Sequence, residues 1–210
     1  MTPAGPVTFE PSARVFLNFP YDRQFGPLYL AYIAGVCSFG LVPRVALELP
    51  GGKRRPDRIV ELILSCSYSF HDLSRVELDL RRPRTRMNMP FELGIAVMAS
   101  YQNPGQHTWC VFEKNYRRVL KSLDDLAGSD IYCHDGSPKG VLKEIANALV
   151  RERHQPDIKS LLAVYEDVTN VLPAILRKRG AKSCYEAAVF RDLVFCAQDA
   201  GKTRLGIGRG

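Results

Sequence analysis

Apolar residues in this chain alternate between short solid runs and longer stretches of helical period. "RVFLNF" (14–19), "LVPRVALEL" (41–49), "YSFHDLS" (68–74), "HTWCVFE" (107–113) and "DIYCH" (130–134) have the length and density of buried parallel strands. Between them, "LYLAYIAGVCSFG" (28–40) predicts a helix closed by glycine. "DRIVELILSCS" (57–67) predicts another, opened by Asp57 as an N-cap type residue. "MPFELGIAVMASYQ" (89–102) places Pro90 in a first turn, where its missing N–H is harmless. "NYRRVLKSLDDLAG" (115–128) and "SPKGVLKEIANALVRERH" (137–154) complete the set, the latter with Ser137 as cap and Pro138 after it.

This strand–helix alternation predicts an α/β fold. The small size points to a flavodoxin-like, doubly wound parallel sheet of about five strands. The domain spans 14–154, after a flexible Pro- and Gly-rich arm (1–13). A C-terminal helical segment (155–202) reads as an appendage lying on the domain or on a partner, and a flexible tail (203–210) ends the chain. "LLAVY" and "VFRDLVF" carry enough apolar surface to predict self-association, with packing onto the core as the competing expectation.

Composition narrows the class. Of 210 residues, 46% are hydrophobic and 24% charged, which is ordinary globular material. No apolar run reaches the ~18–20 residues of a membrane span, and "MTPAGPVTFEPSA" has no secretory pattern. A cytoplasmic protein without membrane contact is expected. The net charge of +7 suits a polyanionic ligand such as a nucleotide. No zinc-finger, RNP or KH pattern occurs, so nucleic acid is not an expected partner. The six cysteines lack metal-ligand spacing and read as reduced, mostly buried residues; no metal is expected. P-loop, GxGxxG-after-strand and GxSxG patterns are absent, which argues against an ATPase, a Rossmann dehydrogenase and an α/β-hydrolase.

In a doubly wound sheet, ligands bind beyond the carboxyl ends of the strands. Asn18, Phe19, Tyr21 and Asp22 follow the first strand, Asp72 and Ser74 end the third, and Arg86, Asn88 and Glu92 lead into the next helix. All are expected on one rim. Glu92 stands in apolar company, in "NMPFELGIA" (88–96), and a helix macrodipole would keep it ionised. The competing reading of Glu92 is a first-turn dipole residue, and of Asp72 a turn residue. His71 reads as a core histidine rather than a ligand. The arginine run "RRPRTR" (81–86) is either a solvated loop or a lid whose guanidinium groups reach phosphates. "KRR" (53–55) reads as solvated surface.

"HDLS", a loop, then "NMPFELGIA" resembles the D-[LI]-[ST]…N-x-x-[FY]-E-L-G-x-A signature of predicted nucleotide-binding proteins in the broad TIR-like and nucleoside deoxyribosyltransferase-like superfamily. "VFLNFPYDRQFGPLYLAYIAGVCSFGLVPRVALE" is similar to a bacterial branch of it. The likeness covers roughly residues 14–135. It implies that Glu92 is the catalytic carboxylate: nucleophile on the anomeric carbon in the transferases, and equivalent through the shared fold to the glutamate with which enzymatic TIR domains cleave NAD. Asp72 would help position sugar or base. One departure is the small Gly-containing loop of the transferases, replaced here by "NFPYD".

The chemistry is coherent. Breaking an N-glycosidic bond develops an oxocarbenium-like cation, which a carboxylate stabilises or traps. Phe19 and Tyr21 could stack on a base, and Arg86 could hold a diphosphate. The expectation is an NAD-cleaving N-glycosidase, hydrolase or cyclase, acting in bacterial anti-phage defence. NAD is its substrate and no cofactor is required; its expected partners are further copies of itself and a protein activator. The alternatives are a nucleoside or nucleotide deoxyribosyltransferase or hydrolase, and a non-catalytic nucleotide-signal sensor or oligomerising module.

Overall fold

A computed structural model describes residues 13–48, 54–75, 88–114, 123, 126, 128–150 and 155–206. The expected helix at 115–128 and the connection carrying Arg86 fall almost wholly outside the described residues. Strands β1 (Arg14–Asn18), β2 (Val42–Val45), β3 (Tyr68–Asp72), β4 (Thr108–Glu113) and β5 (Ile131–Cys133) form one sheet. Its order is β2-β1-β3-β4-β5 and every pairing is parallel. This is the flavodoxin-like arrangement expected from the alternation, with the order reversing between β1 and β3.

Strand alternation sorts the side chains between two faces. Val15, Leu17, Tyr68, Phe70, Cys110 and Phe112 join a core with helix α1 (Gly26–Ser38). Phe16 packs with Ile59, Ile63 and Ala96 of helices α2 (Arg55–Leu64) and α3 (Asn88–Gln102) on the other face.

Helix α1 is apolar all round, and every residue from Leu28 to Ser38 is buried. A helix without a polar face needs cover on every side. The sheet supplies one side; helices α4 (Pro138–Ala148), α5 (Ile158–Arg179) and α6 (Ala187–Leu205) supply the rest. The C-terminal helices therefore lie on the domain, with Leu161, Val164, Val168, Phe190 and Leu193 in the same core as β1 and β3. At Gly35 an added Cβ would stand 2.7 Å from Ile145 Cδ1, so a glycine lets α1 and α4 close up.

Local chemistry sets the ends. Ser137 accepts from the Gly140 amide at 3.0 Å and Asp157 from the Ser160 amide at 2.9 Å, capping α4 and α5. Two boundaries differ from the sequence reading. Helix α2 begins at Arg55, so Pro56 and Asp57 both lie inside its first turn, where an acid favours the dipole. β2 ends at Val45 because Glu48 folds back to accept from its amide (3.0 Å) and from Arg44 Nε (2.9 Å), turning Ala46–Glu48 into a 3-10 helix. Among the described residues, no helix is long and apolar enough to cross a membrane.

Candidate functional site

The place of interest is where the strand order reverses, at the carboxyl ends of β1 and β3, since doubly wound sheets bind ligands there. Asn18 ends β1 and His71 is its neighbour on β3. The Asn18 amide donates to the Met89 carbonyl and to His71 Nδ1, both at 2.9 Å. One side chain thus ties β1, β3 and the first turn of α3 together. Because Nδ1 accepts, the His71 proton sits on Nε2. That atom is buried and has no partner among the described residues. Burial, then the neighbouring His107, holds His71 down at a pKa of about 3, so the ring is neutral. It sits edge-on to Phe16 as the core histidine that the sequence suggested.

Pinning α3 in this way places Glu92 just beyond its first turn. The side chain is only 7% exposed and accepts no hydrogen bond among the described residues. Burial raises its pKa to about 7, against a smaller lowering by Arg55. The helix dipole expected to keep Glu92 ionised is therefore outweighed. The dipole effect fades within one turn, and Glu92 is the fifth residue of α3. Its neighbour Leu93 is buried, whereas Phe91 faces solvent.

Tyr21, from the β1–α1 loop, shares this neighbourhood. Burial pushes its phenol far above the ordinary range, the Glu92 charge pushes it further, and Arg55 and the Ala46 backbone pull it partly back. Glu92 thus interacts electrostatically with groups from two other elements: Tyr21 in the β1–α1 loop and Arg55 at the start of α2. Arg55 belongs to the "KRR" segment that reads as plain surface; only the fold brings α2 beside α3.

The remaining expected residues lie elsewhere. Phe19 points to the α1 face and is 2% exposed. Its ring is packed among Phe25, Tyr29 and Tyr32, so it is a core side chain and not a stacking platform on the rim. Asp22 caps the 3-10 helix Arg23–Phe25, with Oδ1 accepting from the Gln24 and Phe25 amides at 3.0 and 3.1 Å. Its Oδ2 lies 3.4 Å from Arg75 Nε. Asn88 is exposed at the start of α3. Arg86 lies outside the described residues.

Asp72 also points to the α1 face, away from Glu92's side of the sheet. It is fully buried, and its carboxylate accepts from the Tyr32 hydroxyl (2.9 Å), the Ser74 amide (2.9 Å) and His134 Nε2 (3.1 Å). His134 Nδ1 accepts from the Gly136 amide at 3.0 Å, so the Nε2 proton is the one facing Asp72. The Ser74 hydroxyl lies 3.2 Å from the same nitrogen. This hub joins the ends of β3 and β5 to α1. Nothing in the sequence marks His134 or Tyr32 as its members except their positions at a strand end and on an apolar helix.

The chain matches no protein-family model and no curated protein sequence. The fold defines a class: a flavodoxin-like α/β protein, with a buried carboxyl, Glu92, on the helix that follows β3.

Proposed function

We propose that this protein is an N-glycosidase acting on NAD, with Glu92 as the group facing the anomeric carbon. The observation that supports this reading is the Glu92 carboxyl, buried on the helix that Asn18 ties to the ends of β1 and β3, with its pKa raised to about 7. Catalytic sites are where burial and neighbouring charges are arranged to shift pKa values, so a strongly perturbed carboxyl is a candidate for such a site. The pyridinium ring of NAD brings a positive charge. That charge would lower the Glu92 pKa on binding and leave the carboxylate ionised when the cation develops. Nicotinamide then leaves neutral, and water completes hydrolysis. Arg55, an exposed cation whose charge acts on Glu92, is suited to a phosphate of the same substrate. Asp72 holds the site's frame rather than the sugar, since its oxygens are taken up by Tyr32, Ser74 and His134.

The same pKa favours a second reading. A carboxyl that keeps its proton near pH 7 is suited to general acid catalysis, which lets the base of a neutral nucleoside leave protonated rather than as an anion. Chromatography of products from NAD and a nucleoside panel separates the two, and the pH profile refines the choice. On NAD, kcat/KM should rise with pH through a midpoint near 7, the value for the free Glu92 carboxyl. A profile falling above that midpoint, with base released from nucleosides and NAD intact, would move the assignment to the nucleosidase. Tight nucleotide binding with no product from any substrate would leave a sensor.

A further inference from the structure

One side chain from the C-terminal segment touches the loop between β1 and α1. Tyr185 lies in the turn between α5 and α6, and its hydroxyl donates to the Asp22 carbonyl at 2.7 Å. Its ring stands edge-on to Tyr21 at 5.6 Å, 82° between planes, and to Tyr29 of α1 at 4.9 Å. The β1–α1 loop is gripped on its other side by Arg75, whose Nε lies 3.4 Å from Asp22 Oδ2 and whose guanidinium also donates to Gln24. Asp22 Oδ1 meanwhile caps the 3-10 helix that follows. Tyr21 is thus carried on a short loop whose backbone is held from the far end of the chain.

We infer that Tyr185 is a positioning residue: it holds Tyr21 and the β1–α1 loop in place at the carboxyl end of β1, so that the last two helices shape the rim near Glu92 without touching a ligand. The inference rests on the reading of the Glu92 crevice as the functional site. It assigns a site role to a part of the chain that otherwise serves only to cover α1. Ring contacts and one hydrogen bond make this connection, and the two kinds can be removed separately. Tyr185→Phe keeps the ring and loses the donor; Tyr185→Ala loses both.

The test follows three signals in the full-length wild type and both variants: amide exchange of residues 19–26, the titration of the Glu92 side-chain carboxyl by NMR, and base release from NAD. In Tyr185→Phe the loop amides should exchange up to about tenfold faster, as expected for one lost hydrogen bond. The Glu92 midpoint should fall from about 7 toward the ordinary 4.5 as water reaches it, further in Tyr185→Ala than in Tyr185→Phe. Turnover should fall in the same order, in kcat more than in KM. A merely structural Tyr185 would lower the melting temperature and leave the Glu92 midpoint in place. An unmoved midpoint in Tyr185→Phe, with or without faster loop exchange, overturns the inference even if Tyr185→Ala fails to fold. A wild-type protein that releases no base from any substrate defeats the N-glycosidase reading instead, while loop exchange and the Glu92 titration still decide the part played by Tyr185.

Discussion

A single carboxyl separates the catalytic reading from the structural one. Glu92→Gln is nearly isosteric and satisfies the same volume, so the fold should persist. It removes the charge that a developing cation needs, and base release should drop by about 10²–10³-fold. The substitution should also change how stability depends on pH. Glu92 is neutral in folded and unfolded chains alike below pH 4.5, and ionises in the folded chain only near pH 7. Between those values the unfolded chain gives up its proton first, so wild-type stability falls by at most ~1.4 kcal/mol per pH unit, about 3 kcal/mol in all. His71 acts in the opposite direction. Its stabilisation is present above pH 6.5 and is lost as pH falls toward 3, because the unfolded imidazole takes a proton that the folded one refuses. From 4.5 to 6.5 the two slopes oppose each other. Thermal melts across that window should rise with pH more steeply in Glu92→Gln than in wild type; parallel curves would mean that Glu92 is not desolvated. Asn18 is the third residue to test. Asn18→Leu strands the buried His71 Nδ1 and the Met89 carbonyl, at a cost of about 1–3 kcal/mol by urea unfolding. Asn18→Asp should cost more, since a carboxylate would face two acceptors.

At the scale of elements, two glycines in helices should respond in opposite ways. A Cβ on Gly94 of α3 meets nothing within 4 Å, and the site is solvent-exposed. Gly94→Ala should therefore stabilise by about 0.5–1 kcal/mol through helix propensity and the unfolded chain's lost freedom. Gly35 of α1 faces Ile145 and Leu142 at 2.7 and 3.2 Å. Gly35→Val should destabilise by about 1–3 kcal/mol from overpacking alone, as α1 is forced off α4. Chemical unfolding of both variants under one condition checks the pair, and an equal response would refute the packing of α1 on α4. Among the described residues, the "ELG" glycine thus has no packing partner. It borders an open apolar groove of about 500 Å³ between α2 and α3, lined by Val60, Leu64, Phe91 and Met98 among others.

At the scale of the whole molecule, α1 is central. It is too apolar to face water, and α5 and α6 complete its cover. The chain cut after residue 156 would expose one side of α1 and lose Leu161, Val164, Phe190 and Leu193 from the core. We expect that fragment to be insoluble or to lose its cooperative melt, as judged by circular dichroism and light scattering. A soluble 1–156 fragment with a sharp transition would show that the helices are dispensable to the domain. The apolar residues of "LLAVY" and "VFRDLVF", which suggested self-association, are largely used within the chain; Phe195 remains 71% exposed.

Hydrophobic period alone determined the strand–helix alternation, the parallel sheet and the flavodoxin-like class, because an element of one period can bury its apolar positions in only one way. The same signal marked Glu92 as anomalous, since a carboxyl among Phe91, Leu93 and Ile95 breaks the apolar pattern of α3. It could not decide which face of the sheet each strand-end residue would choose. Asn18 and His71 turn toward α3, whereas Phe19 and Asp72 turn toward α1, so residues adjacent in sequence serve opposite sides. Nor could it bring the Arg55 charge to bear on Glu92, close Asp72 with His134, or bring Tyr185 to Asp22 across 163 positions. Period is a local property of the chain, whereas desolvation, charge pairing and long-range hydrogen bonds arise only when distant elements pack together. The pKa of Glu92 is set by that packing, and only the tertiary structure decided it.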